Sequence, residues 1–217
     1  MLVKDYMTRH PLMAEPTMPI VEAQRYMGEN NVRHLPVAGN GKRLLGLVTR
    51  QRLLVEPGRL GSLDVWEITR YLSDLKVKDV MVKGQDLITI GQGATIEEAA
   101  HTMVEHRIGC LPVLEEGIVV GIITETDLLA QLTTLLGWPF RGVRVTVRVP
   151  DRVGEFAKVT SAIASKGWGI YAAGGVPAPK HPGYWDGVFK VRGVPKDDLV
   201  AVLEEIEGQE IVDVREI

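Results

Sequence analysis

The sequence predicts a mixed chain of the α/β (α+β) class, with a duplicated strand-helix-hairpin-helix module over residues 1–136 and a βαββαβ sandwich over residues 142–217. Three observations carry this reading. A set of short motifs recurs in the same order, each copy holds apolar residues at helical spacing, and from Val143 the pattern changes to strict alternation.

The duplication is anchored by VKDYM at Val3 to Met7 and VKDVM at Val77 to Met81. HLPV (His34 to Val37) then matches CLPV (Cys110 to Val113), and GLVT (Gly46 to Thr49) matches GIIT (Gly121 to Thr124), with spacings that agree within two residues. In the second copy Ile96, Ala99, Ala100, Met103 and Val104 mark one helix face, and Thr95 with Glu98 forms a capping box before it. Ile20, Ala23, Gln24 and Met27 occupy the same frame in the first copy, with Pro19 at the helix start. Two apolar runs divided by a turn follow each helix: Val32 to Val37 and Leu44 to Val48 around GNGK, then Ile108 to Leu114 and Ile118 to Ile123 around EEG. They predict hairpins. A second helix is expected after each hairpin, short after Thr49 and longer from Glu125 to Leu136. One copy is too small to cover both its faces, so the two should pack together.

These limits define repeat 1 as residues 1–56, a linker as 57–76 and repeat 2 as 77–136. Pro57, Gly58, Gly61 and Ser62 mark a loop in the linker, and Leu63 to Leu75 has helical spacing through Val65, Ile68 and Leu72.

After the boundary at Trp138, Pro139 and Gly142, the valines at 143, 145, 147 and 149 alternate with polar residues, as in a half-buried strand. A helix with Phe156, Val159 and Ile163 inward ends at Gly167. Strands are expected near Ile170 to Ala173 and Trp185 to Val191, then a helix from Pro195 to Gly208 and a strand from Glu210 to Arg215. That order is ferredoxin-like.

Bulk properties narrow the function classes. With 45% apolar and 24% charged residues the chain is an ordinary globular one, and its 217 residues leave room for more than one core. A net charge of −3 gives no global electrostatic case for nucleic acid. The lone Cys110 in IGCLPVL reads as a core residue rather than a nucleophile. The N-terminal segment lacks a secretory apolar core, and no apolar run reaches about 18 residues, so a cytoplasmic protein without a membrane span is expected. The histidines at 10, 34, 101, 106 and 181 form no metal-ligand spacing, and no nucleophile stands beside a base. The expectation is therefore not an enzyme, with no catalytic cofactor and no metal site.

The strand-helix-strand-strand-helix unit, the LPV strands and the G-h-h-T-x-x-D string closing copy two resemble a tandem CBS-domain pair (Bateman module) over residues 1–136. The string Gly121-Ile122-Ile123-Thr124-Glu125-Thr126-Asp127 runs from a strand into a helix start, where free N–H groups suit a phosphate. Thr124 can donate its hydroxyl, Asp127 can accept from two ribose hydroxyls, and Gly121 would admit a ligand close to the backbone. Thr-x-x-Asp also serves as a helix cap without any ligand. The resemblance implies that each cleft combines the T-x-x-D end of one repeat with the first strand and LPV strand of the other. An adenine nucleotide (AMP, ADP or ATP) would then meet Leu12, Val32, Arg33, His34, Gly121, Ile122, Thr124 and Asp127, with Leu12 and Val32 flanking adenine and Arg33 and His34 reaching phosphates. The other cleft, of Thr49, Arg52, Arg107, Ile108 and Gly109, has an arginine where the acid should be, and arginine has no acceptor. It is expected to be empty or to hold an anion rather than a nucleoside.

The stretch DRVGEFAKVTSAIASKGWGI resembles the start of an ACT domain, with Val153 in place of the usual proline and Gly169 in place of the usual asparagine. The resemblance implies an amino-acid site at Asp151, Gly154, Gly169 and Ile170, while Asp151 can equally cap the following helix. A CBS pair joined to an ACT domain resembles the acetoin-utilization protein family (AcuB type). It implies a non-enzymatic, homodimeric regulator that binds an adenine nucleotide and acts on an ACT domain or an unidentified regulated protein. The alternative is an amino-acid-sensing ACT regulator with the CBS pair as dimerisation scaffold.

Overall fold

A computed structural model describes residues 1–54, 66 and 74–217. The loop at Pro57 to Ser62 and most of the predicted helix Leu63 to Leu75 lie outside the described residues. The chain divides into two compact units, Met1–Leu128 and Leu129–Ile217, the division falling within the helix Glu125–Leu135.

In the first unit both predicted hairpins form. Strand β2 (His34–Ala38) pairs antiparallel with β3 (Leu44–Thr49), and β5 (Cys110–Glu115) with β6 (Ile118–Thr124). The helices Ile20–Glu29 and Ile96–His106 bury the residues their periodicity picked out: Ile20, Ala23 and Met27 in one, Ile96, Ala99 and Met103 in the other. Val104 stays 78% exposed, so the apolar stripe of the second helix is narrower than its spacing predicts. The capping box is present, with Glu98 N–H donating to Thr95 Oγ1 at 3.1 Å and Thr95 N–H to Glu98 Oε2 at 2.7 Å. The backbone bond from Thr95 holds the Glu98 carboxyl below the usual range.

The opening of each module departs from the expected strand. VKDYM and VKDVM form one-turn helices, Val3–Tyr6 and Val77–Val80, each closed by a bond from the following methionine N–H to the first valine carbonyl. These segments are also exchanged between modules. Val3 and Met7 are buried with Ile96, Met103, Leu111 and Ile123 of repeat 2, whereas Val77 is buried with Ile20, Leu35, Val48 and Leu53 of repeat 1. The strand β1 (Thr8–Arg9) pairs with β6, and Val82 bridges Leu47 of β3. The sheet order β1-β6-β5-β4, with β4 (Ile90–Gly91) parallel to β5, therefore mixes both repeats. Full burial of a valine stabilises by about 1.5–3 kcal/mol, so each module depends on the other for part of its core.

After Thr49, residues 50–53 form turns, and the short helix expected there is absent through Leu54. Cys110 is buried with Leu47 and Ile122, which agrees with a core role, and burial first, then Glu125, pushes its thiol up to about 12.

The second unit has the predicted order: β7 (Val143–Pro150), helix Glu155–Ser165, β8 (Gly169–Pro177), β9 (Tyr184–Arg192), helix Lys196–Glu204 and β10 (Glu210–Glu216). Its antiparallel sheet runs β10-β7-β9-β8. The valines at 143, 145, 147 and 149 join Phe189, Val191, Ile163 and Leu199 in one core. On the other face of the sheet, Arg148 holds Asp186 through Nε and Nη2 at 2.9 and 3.2 Å. Among the described residues no helix is long and apolar enough to cross a membrane.

Candidate functional site

Local chemistry makes the two strand ends of the first unit differ. At the end of β6, Thr124 N–H and Oγ1–H both donate to Asp127 Oδ2 at 2.8 Å, and Asp127 N–H donates to Thr124 Oγ1 at 3.4 Å. This capping box opens the helix Glu125–Leu135. Both hydrogens accepted by the carboxylate go to Oδ2, which leaves Oδ1 as an acceptor. At the end of β3 the equivalent position is Arg52, whose N–H donates to Thr49 Oγ1 at 3.3 Å. Among the described residues no carboxylate receives the Thr49 hydroxyl hydrogen, and residues 50–53 form turns.

Residues of the other repeat meet the Thr124–Asp127 turn. Arg33 Nη2 donates to Thr126 Oγ1 at 3.5 Å, across a separation of 93 residues. Glu125 N–H donates to Gly109 O at 3.1 Å, as Arg50 N–H does to Arg33 O at 2.8 Å. His34 is half-buried, and burial first, then the Arg33 charge, lowers its pKa while Glu125 opposes the shift. Leu12 and Val32 are partly buried together against the repeat 1 core.

Two residues predicted to face a ligand serve packing instead. A Cβ on Gly121 would collide with Met7 Sδ and stand 3.1 Å from Thr8 O, so the close approach at this glycine is made by the chain's own first segment. Ile122 is 7% exposed and sits between Leu47 and Cys110.

A wide opening lies on the side of the second, arginine-bearing cleft. It has a volume of about 1280 Å³. Thr49, Arg50, Gln51 and Arg52 of repeat 1 line it together with Arg107, Ile108 and Gly109 of repeat 2, and Arg33 and His34 reach it as well. Arg107 takes a left-handed backbone conformation, φ 53°, where it ends the helix Ile96–His106. Sequence reading missed Arg50, Asp79, Asp86 and Glu125, which also line the cavity. Aligning the repeats residue by residue was the available signal, because Glu125 falls opposite Arg50, and Gly109 opposite Arg33.

In the second unit the four predicted ligand residues do not converge. Asp151 and Gly154 follow Pro150, which pairs with Tyr184, whereas Gly169 pairs with Arg192 at the other end of β9. At about 3.3 Å per residue these ends are about 26 Å apart. Space beside Gly169 is filled by the Arg192 side chain. Nor does Asp151 cap the helix: Gly154, with φ 93°, precedes it, and no side-chain bond closes its first turn. The first turn instead holds Glu155, buried and bonded to Lys158 at 3.0 Å and Arg152 at 3.1 Å, with the Lys158 bond foremost in keeping its carboxyl below the usual range. A separate cavity of about 250 Å³ is lined by Val149, Pro150, Asp151, Arg152, Phe156 and Trp185.

The exchanged segments, the paired hairpins and the two inequivalent Thr-x-x-(Asp/Arg) turns define a duplicated regulatory-type module. The chain belongs to the CBS-domain family, whose model matches residues 3–57 and 77–133. It is 32% identical over 132 residues to protein MJ1225 of Methanocaldococcus jannaschii, a match that covers 59% of this chain and 46% of that protein. A structure assigned to an acetoin utilization protein (AcuB) of Vibrio cholerae is 29% identical with TM-score 0.53, and the alignment covers 64% of this chain and 96% of that one. The CBS pair of protein MJ0100, in complex with 5′-methylthioadenosine and S-adenosyl-L-methionine, aligns at 22% identity and TM-score 0.50 over 61% of this chain and 95% of that one, a likeness of fold. The chain spans less than half the length of the curated relatives it matches. Residues after 133 lie outside the family match.

Proposed function

We propose that this chain is a non-enzymatic regulatory sensor that binds an adenine nucleotide at the Thr124–Asp127 turn. The carrying observation is the Arg33 to Thr126 contact, which brings a phosphate-binding guanidinium of one repeat to the strand-helix junction of the other. Asp127 Oδ1 accepts from ribose, Leu12 and Val32 flank the base, and Arg33 and His34 take the phosphates. Nucleotide then biases one arrangement of the repeats, provided the two arrangements differ in affinity. The readout passes to the C-terminal unit or to a regulated protein, in a cytoplasmic homodimer. Support for an ACT-type C-terminal unit comes from the βαββαβ order and the DRVGEF motif at its first turn, and likeness to the Vibrio cholerae protein supports an AcuB-type role.

Calorimetry with AMP, ADP and ATP on the wild type and Asp127→Ala tests the assignment. One nucleotide per chain in the wild type and loss of binding in the variant are expected, with thermal unfolding to confirm that the variant folds. Equal binding by both proteins sinks the pocket.

The cavity beside Asp151 and Arg152 favours a second reading, an amino-acid sensor with the CBS pair as dimerisation scaffold. Arg152 offers a partner for a carboxylate and Asp151 one for an amine. Thermal shifts with amino acids and none with nucleotides would select it.

A further inference from the structure

One end of the second unit's sheet holds a polar side chain that the fold leaves unanswered. Among the described residues, Gln209 is the only one whose buried side-chain polar atoms, Oε1 and Nε2, have no hydrogen-bond partner. Folded chains pair nearly all such atoms, and an amide carries an acceptor and two donors that are costly to bury unpaired. Its match is a group that offers both a donor and an acceptor.

Strand register puts this amide beside the cavity of about 250 Å³. Gln209 immediately precedes β10, in which Glu210 pairs with Arg148 and binds its guanidinium on the open face of the sheet. Alternation then turns Gln209 to the opposite, helix-facing side, next to Val149. Val149 belongs to the core on that side and lines the cavity, and its partner on β9, Trp185, lines it from the other flank. Cross-strand neighbours stand about 5 Å apart, within reach of a glutamine side chain. Arg152, also in the cavity wall, approaches the same turn, since a Cβ on Gly208 would lie 3.8 Å from its Nη2. The volume, below the roughly 300–1,000 Å³ of a drug-sized site, limits the ligand to a small molecule.

We propose that Gln209 is a specificity residue of this cavity and selects an amino acid with a primary carboxamide, L-glutamine or L-asparagine. The proposal rests on the amino-acid reading of the cavity and adds the ligand's side chain to it. The ligand amide and Gln209 exchange one N–H···O bond in each direction, the ligand methylenes lie against Val149, Phe156 and Trp185, and Arg152 and Asp151 take the carboxylate and the amine. A side-chain carboxylate of the same shape has no donor for Gln209 Oε1, and a thioether has neither a donor nor a strong acceptor.

Calorimetry of the full chain with L-glutamine, L-asparagine, L-glutamate and L-methionine tests the proposal. Wild-type protein is expected to bind a carboxamide on the order of tenfold more tightly than glutamate or methionine. Gln209→Leu should lose that preference and keep its affinity for methionine, while Arg152→Ala should weaken every amino acid alike. Circular dichroism checks that both variants fold. Amino-acid binding without a carboxamide preference, or a preference that survives in Gln209→Leu, overturns the proposal and leaves the amino-acid reading standing. Binding of none of the four overturns it as well, and silence across the full amino-acid panel, or carboxamide binding unaffected by Arg152→Ala, removes the reading on which it rests.

Discussion

The two repeats share a backbone plan and differ at its chemical end. In repeat 2, Thr124 and Asp127 close a reciprocal set of bonds, and a helix of eleven residues follows. In repeat 1, Arg52 stands where the acid would be, its N–H donates to Thr49 Oγ1, and residues 50–53 form turns. One residue difference thus separates the two turns in their hydrogen bonding. A carboxylate satisfies helix N–H groups and can accept from a sugar, while a guanidinium can do neither. Asymmetry in a duplicated fold is therefore to be sought at the caps of its elements before its core.

The strongest test of that comparison lies at the two packing glycines. A Cβ on Gly46 would stand 2.6 Å from the Val82 carbonyl oxygen, whereas at Gly121 the backbone neighbour, Thr8 O, is 3.1 Å away and the tighter contact is a flexible methionine. Gly46→Ala is expected to destabilise by about 1–3 kcal/mol, and Gly121→Ala by less, in urea unfolding. Equal effects would mean that the two exchanged segments are held equally rigidly.

Caps come next. Asp127→Ala should cost about 1 kcal/mol of stability through loss of the capping box, whereas Arg52→Ala should cost nearly nothing. A measurable loss in Arg52→Ala would show that the arginine bears on folding as well as on ligand choice.

A smaller effect is expected from His34. Its folded pKa lies below the ordinary imidazole value of about 6.5, from burial and then from Arg33, so the unfolded chain binds its proton more readily than the folded one. The associated stability is full above about pH 6.5 and declines as pH falls through the folded pKa. Melting temperatures measured from pH 7.5 to 5 should therefore fall more steeply for wild type than for His34→Gln. Parallel curves would remove the histidine from the account. A small effect is also predicted for Arg33→Ala, under about 0.5 kcal/mol in stability, since its bond to Thr126 is long and exposed. Nucleotide affinity, read by calorimetry, should fall far more than stability does.

Much of the fold was legible because its signals are local. Alternation at residues 143–149 marked β7, the spacing of Ile96, Ala99 and Met103 marked a helix, and Thr95 with Glu98 marked its start. The inequivalence of Asp127 and Arg52 was legible too, since it lies in residue type at matched positions. Other features were not. VKDYM opens a module expected to begin with a strand, yet it forms one helical turn whose valine is buried in the other module. Gly121 reads as a ligand-facing glycine, but Met7, 114 positions away, occupies its open side. Asp151 has the residue type of a cap, while the turn that places Gly154 before the helix gives it no N–H to accept from.

Repeat structure, element order and the chemical difference between the two turns follow from the sequence, because each depends on residues close together in the chain. Which segment completes which sheet depends on contacts between residues far apart in the chain, such as Leu47 with Val82 and Thr8 with Ile122. Those contacts are selected by shape and burial across the whole unit, and only the assembled tertiary structure determines them.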